Sequence, residues 1–224
     1  MERGFGTNFH TIYQKDPSLY YSFSSSENFS PKLTKRLKEM LRGKVLLDVA
    51  CGTCHKTNLL AKHFSKVYAL DSSQFLLKYA KKIYGKNTKF NFLLSTASNI
   101  PLLNQSVDTI FISWGSFPLA KTIKELKRVL APGGIILRIG VWGRDEFTSL
   151  FPNFDLSRVK RIQNKFKQEH FKKEKYTVKI EFKNLKIAKR VMSEVLGCEK
   201  KKINSNILEH EIILHVYHKN YDSL

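Results

Sequence analysis

Apolar residues recur along this chain in two alternating rhythms. Short, nearly unbroken runs stand at 45–49, 67–70, 89–94, 107–113 and 135–139, the lengths and residue types of buried strands. Between them the apolar positions fall three and four apart, the spacing of one helix face. In 73–84 that face is Leu76, Tyr79, Ala80 and Ile83, with Ser72 or Ser73 placed to cap the N-terminus. In 121–130 it is Ile123, Leu126, Val129 and Leu130, and Pro132-Gly133-Gly134 stops the helix. Short strands separated by helices form a parallel sheet covered on both faces, and right-handed crossovers make it doubly wound. After Gly140 the rhythm changes. Residues 145–173 read as an irregular or helical insertion ending in basic residues, 176–182 alternates, 185–196 is helical and capped by Gly197, and 211–217 alternates again, as an edge or near-edge strand does. Phe9, Tyr13, Tyr20, Tyr21 and Phe23 are scattered among serines and asparagines at the start. Residues 1–30 are therefore expected to form a cap over the cleft of a domain spanning 31–224.

Length and composition narrow the class. A chain of 224 residues with 42% apolar content suits one compact domain. No apolar run is long enough to span a bilayer, and the first residues lack the apolar segment of a secretory signal. Three cysteines, two of them in one loop, fit a reducing compartment, so a cytoplasmic protein is expected. The net charge of +20 invites a polyanionic partner. It is spread out, however: 22 basic against 10 acidic residues over 1–150, and 17 against 9 over 151–224, with one dense run at 158–175. Diffuse lysine of this kind is foremost a solvated surface.

Candidate chemistry sits where strands end. The run Val45–Val49 carries Asp48 near its end and leads into Ala50-Cys51-Gly52-Thr53, a turn of small residues opening a helix. The next apolar strand closes on Asp71, 23 residues further on. In an open α/β sheet the ligand lies beyond the carboxyl ends of the strands, and small residues let backbone approach it. A dinucleotide would also use such a turn, but its fingerprint wants three glycines where this turn has one, and Asp48 would repel a pyrophosphate. Two carboxylates instead suit a nucleoside bearing positive charge: one faces an ammonium or sulfonium, the other accepts from ribose hydroxyls.

These features, with three more, resemble class I S-adenosylmethionine-dependent methyltransferases of the broad type 11 group. The motifs are Leu47-Asp48-Val49-Ala50-Cys51-Gly52-Thr53-Cys54; Ala69-Leu70-Asp71-Ser72-Ser73 with Phe75 beyond; Thr96-Ala97-Ser98-Asn99-Ile100-Pro101 before Ser106–Phe111; and Leu126–Gly134, a helix running into Pro-Gly-Gly. The likeness extends over about 32–143. It implies a Rossmann-like, seven-stranded sheet, mostly parallel with an antiparallel last strand, and S-adenosylmethionine as cofactor. It also implies a cofactor site built from Asp48, Ala50, Cys51, Gly52, Thr53, Asp71, Ser72, Phe75, Thr96, Ala97, Ser98 and Ser113. Ala50 and Cys54 replace glycines of the pattern, and Thr96 stands where many members have an aspartate, so cofactor affinity is expected on the weak side of the family. Cys51-Gly52-Thr53-Cys54 is also a Cys-x-x-Cys. It offers only two metal ligands with no second pair, and Asp48 beside it opposes a reactive thiolate, so no metal is expected.

Methyl transfer from a sulfonium is an in-line displacement governed by alignment and exclusion of water, so no catalytic dyad is required and the catalytic residues stay open. The segment Ser113–Pro118 lacks the Asn/Asp-Pro-Pro-aromatic signature of enzymes that methylate base or glutamine amino groups. Trp114, Phe117 and Tyr20 are candidate acceptor walls, His10, His55 and His170 candidate bases, and 145–175 with the cap the candidate specificity elements. The expected activity is methyl transfer to a small molecule. Two alternatives stand beside it: an RNA- or ribosome-associated methyltransferase using the 158–175 run on phosphates, and a non-catalytic cofactor-binding subunit.

Overall fold

A computed structural model describes residues 9–220, with side chains from residue 11 onward. Residues 1–8 of the expected cap and the side chains of Phe9 and His10 lie outside the described residues. The strands are β1 (Glu27–Asn28), β2 (Val45–Val49), β3 (Lys66–Asp71), β4 (Phe90–Leu94), β5 (Val107–Ser113), β6 (Leu130–Val141), β7 (Lys172–Glu181) and β8 (Ile207–His218). The helices are α1 (Phe9–Lys15), α2 (Pro17–Ser26), α3 (Pro31–Met40), α4 (His55–Ala61), α5 (Gln74–Tyr84), α6 (Leu119–Val129), α7 (Leu156–Gln168) and α8 (Leu185–Leu196).

All strands join one sheet in the order β1-β7-β8-β6-β5-β2-β3-β4. Pairing is parallel from β4 through to β6 and antiparallel at β6–β8, β8–β7 and β7–β1. The sheet thus has eight strands where seven were expected. The extra one is a two-residue edge strand inside the expected cap, too short and polar to carry any periodic signal. The last strand is not an edge either: β6 and β7 bond it on both sides, and from Ile212 to Val216 it is buried throughout. The 145–175 insertion resolves into a short 3-10 turn, α7 and the first residues of β7, which begins at Lys172 rather than Tyr176.

The chain turns outward in both directions from β2 and β5, so the crevice between their carboxyl ends is the topological switch point. The register of β2 against β5 is pinned at their opposite, amino ends. The carboxylate of Asp108 on β5 accepts from the backbone N–H of Lys44 and Val45 at 2.7 and 2.8 Å. Gly43 makes this possible, since a Cβ there would stand 2.1 Å from Asp108 Cγ, at φ +64°. One face of the sheet packs on α3 and α4 through Leu33, Leu37 and Leu60, the other on α6 and α7 through Ile123, Leu126 and Phe166. Each such side chain contributes roughly 1.5–3 kcal/mol. A third cluster joins α8 to Phe147, Phe182 and Leu19 of the cap. Helix ends are satisfied by Ser30, Ser73 and Asn184, whose side chains accept from the N–H three residues on.

Candidate functional site

The loop after β2 turns left-handed at alternate residues: Ala50 (φ 59°), Gly52 (φ 55°) and Cys54 (φ 61°). The Cys51 N–H bonds the Leu70 carbonyl at 3.0 Å, fastening the loop to the end of β3. Asp71 accepts from the N–H of Gly52 and of Ser73, both at 2.8 Å. Burial raises its carboxyl above the usual range against these donors. Asp48 is 2% exposed and accepts from the Thr57 hydroxyl. Burial pushes its carboxyl up to about 7, Thr57 opposing and Asp71 adding to the shift. Two buried carboxylates thus stand at adjacent strand ends, each costly to ionise without a positive charge nearby.

The other expected cofactor residues lie on the segments after β3 and β4 and at the end of β5. The Ser95 N–H bonds the Asp71 carbonyl at 3.1 Å and draws in the loop after β4. There Thr96 is exposed, its Oγ1 3.4 Å from Ser98 Oγ, while Ala97 turns into the core. Ser72 is exposed beside Asp71, and Phe75 is half-buried in the first turn of α5. At the end of β5 the Ser113 Oγ is shut off from solvent with no partner among the described residues.

The cap lies across this loop. Tyr20 of α2 covers Gly52 so closely that a Cβ there would meet its ring at 3.1 Å. Thr53 Oγ1 lies 3.1 Å from Ser24 Oγ, and Tyr21 meets His55 edge-on at 5.8 Å. Behind Tyr20, Glu27 accepts from Trp114 Nε1 at 2.9 and 3.0 Å and pairs with buried Lys56 at 3.2 Å. The other side of the Trp114 ring stacks on His210, centroids 5.1 Å apart. His210 is wholly buried and its Nδ1 lies 2.7 Å from Asp145 Oδ2. Phe117 does not join Trp114; it packs against the opposite core cluster.

Sequence reasoning missed Glu27, Lys56, Asp145 and His210. Only His210 carried a signal: it occupies an inward position of the alternation Leu208, His210, Ile212, Leu214, Val216, a polar residue where the pattern wants an apolar one. The expected bases fare differently. His170 is exposed at a left-handed position (φ 65°) ending α7, and His55 is half-buried, burial and Lys56 holding it below the ordinary range. Cys51, Cys54 and Cys198 are free thiols. Burial, then Cys54, Asp71 and Asp48, hold the Cys51 thiol far up, the opposite of a reactive thiolate. Among the described residues no three His, Cys, Asp or Glu side chains cluster to hold a metal, and no helix is long and apolar enough to cross a membrane.

Residues 47–137 match the model of the methyltransferase domain family. The chain is 34% identical over 123 residues to malonyl-[acyl-carrier protein] O-methyltransferase of Yersinia pestis, covering 52% of this chain and 45% of that protein. It is 31% identical over 139 residues to demethylmenaquinone methyltransferase of Staphylococcus saprophyticus, covering 57% and 60%. The matches thus span about half the length of these relatives. Among solved structures, a SAM-dependent methyltransferase from Aquifex aeolicus superposes with a TM-score of 0.57 at 20% identity, over 94% of this chain and 98% of that one, which shows the shared fold. Residues 47–137, which carry both strand-end carboxylates, the left-handed loop and the switch point, are thus similar to a methyltransferase domain and share the fold of S-adenosylmethionine-dependent methyltransferases.

Proposed function

We propose that this chain transfers a methyl group from S-adenosylmethionine to a small molecule bound beneath the cap. The reading rests on one observation: two buried carboxylates at adjacent strand ends, astride a loop bent left-handed at three alternate residues. In this reading Asp71 accepts from the ribose hydroxyls and Asp48 faces the positive end. Ala50, Cys51, Gly52 and Thr53 give the close backbone approach, and Ser72, Phe75, Thr96, Ala97 and Ser98 flank the base. The partnerless Ser113 Oγ completes the set. When bound, the cofactor supplies an electrophilic methyl whose leaving group is a neutral thioether. The chain's own part is alignment and dryness: Tyr20 closes the mouth, and Trp114, fixed by Glu27, walls the acceptor. The α1–α2 cap and the 145–175 segment set acceptor choice. The two relatives, by their names, act on a malonyl group on a carrier protein and on demethylmenaquinone, which favours a metabolite-sized acceptor over RNA. Three free thiols suit a cytoplasmic setting.

Calorimetric titration with S-adenosylmethionine tests the site. Asp71→Asn is expected to weaken binding about 10–100-fold, the worth of hydrogen bonds to a charged group; unchanged affinity would refute the assignment. Tritiated methyl transfer into a cell extract, sorted by size, should label small molecules. Label confined to RNA would move the acceptor class.

A further inference from the structure

Resting on that reading, we infer that His210 is the general base of the site, held by Asp145 as positioning residue, and that the acceptor is one that must lose a proton: a phenol, another hydroxyl or a carbon acid. Asp145 is saturated with donors. It accepts from the Thr148 N–H (2.7 Å), the Thr148 hydroxyl (2.8 Å) and the Glu211 N–H (2.7 Å) as well as from His210. Burial works against its charge, but the His210 bond and these donors outweigh it and keep the carboxylate below its ordinary range. With Asp145 accepting at Nδ1, the neutral form of the ring carries its proton there. Nε2 is then a bare lone pair, and it is buried with no partner among the described residues.

That arrangement is poor packing and good chemistry. The bare nitrogen alone does not mark a base, since the Nε2 of buried His215 also has no partner among the described residues; the carboxylate on the other nitrogen of His210 does. A base oriented by a carboxylate, with its second nitrogen free, is how imidazole is prepared for proton abstraction. The ring lies between Trp114 (5.1 Å) and Phe147 (4.9 Å), and Phe147 in turn stacks on Phe23 of the cap at 6.4 Å. The base therefore stands packed among aromatic side chains between the end of β5 and the cap. The charged groups around it are Asp145 and, beyond Trp114, Glu27 with Lys56; β7 offers only Val178 opposite it. The other buried histidine, His215, makes a useful contrast. Its neighbour is Arg138, 3.3 Å from Nδ1, so no carboxylate orients it.

The step balances simply. Nε2 takes the proton of the acceptor O–H or C–H, and the pair left on the acceptor forms the bond to the methyl carbon. The pair of the broken carbon–sulfur bond stays on sulfur, and the imidazolium, stabilised by Asp145, later passes its proton to solvent.

The experiment uses the full chain with two probe acceptors, 1,4-naphthohydroquinone, which must lose a proton, and a malonyl thioester, whose carboxylate need not. His210→Asn keeps a donor for Asp145 and removes the base. It is expected to lower kcat on the hydroquinone about 10²–10⁴-fold with calorimetric S-adenosylmethionine affinity unchanged. Asp145→Asn should lower kcat less and displace the acid limb of its pH profile. Independently of turnover, histidine-selective 15N NMR of the wild type should show His210 protonated on Nδ1 alone. Its Nε2 signal should move when the hydroquinone is added with S-adenosylhomocysteine. Full activity of His210→Asn, transfer to the malonyl thioester only, or an Nε2 signal that the hydroquinone leaves in place would each overturn the inference. Loss of cofactor binding by the wild type would instead strike the functional reading beneath it.

Discussion

Asp48 concentrates the conflict between fold and function in one side chain. Its carboxyl titrates near 3.8 when unfolded and near 7 when buried. Below about pH 4 both states are protonated and the residue costs nothing. As pH climbs from about 4 to about 7 the unfolded chain is ionised while the buried carboxyl is not, so the fold loses stability, and the loss is complete above about 7. Asp48→Asn is therefore expected to stabilise the ligand-free protein by roughly 2–4 kcal/mol at pH 8 and hardly at all at pH 4, read from urea unfolding at the two pH values. The same argument gives the sign for the cofactor. A positive ligand favours the ionised form, so wild-type affinity should rise between pH 6 and 8, and the Asn variant should show a flat profile by calorimetry. Ala50 offers a smaller test. A left-handed alanine costs about 1 kcal/mol, and Ala50→Gly should return most of it as a higher melting temperature. Cys54 differs, because it is wholly buried in the core; Cys54→Gly trades strain for a cavity and should come out near neutral.

Elements were legible wherever burial on one side left a period. The turn-and-carboxylate patterns at β2 and β3, and the helix running into Pro-Gly-Gly, could be read from residue types alone because their chemistry is local. β1 could not, since two residues of edge strand have no period and owe their place to a partner about 150 positions away in the chain. The Asp145–His210 pair was hidden for the same reason: its members are 65 residues apart and meet only once β6 and β8 are paired. Helix α5 shows a milder limit. Its core face is Leu76, Leu77 and Ala80, while Ile83 in the last turn is 40% exposed. The cap makes the element-scale prediction. Tyr20 stands over Gly52, so entry of a nucleoside requires α2 to shift. In a Trp142→Phe background, leaving Trp114 as the reporter, Tyr20→Ala should speed cofactor association several-fold in stopped-flow fluorescence. An unchanged rate would show that the ring is no barrier.

At the scale of the whole molecule the charge of +20 is less available than the sum implies. Within the dense run, Lys165 bonds Glu169 at 3.1 Å, Arg161 approaches Asp155 at 3.8 Å and Lys175 bonds Glu211 at 2.6 Å. Lys160, Lys167, Lys172 and Lys173 have no ion-pair partner among the described residues. Four phosphate contacts at about 0.7 each give a log–log salt slope near −3 for mixed single-stranded RNA. A measured slope near −5 would restore RNA as the acceptor. The smallest strand has the longest reach. Glu27 and Asn28 stitch the cap to the outer border of the sheet, and the Glu27 carboxylate grips both Trp114 and Lys56. A flap sewn down along one hem is expected to lift from the other, which would bring both ligands in on the α1 side. Whichever goes in first is then trapped behind the second, and initial-rate kinetics should be strictly ordered, with the nucleoside product the last to leave.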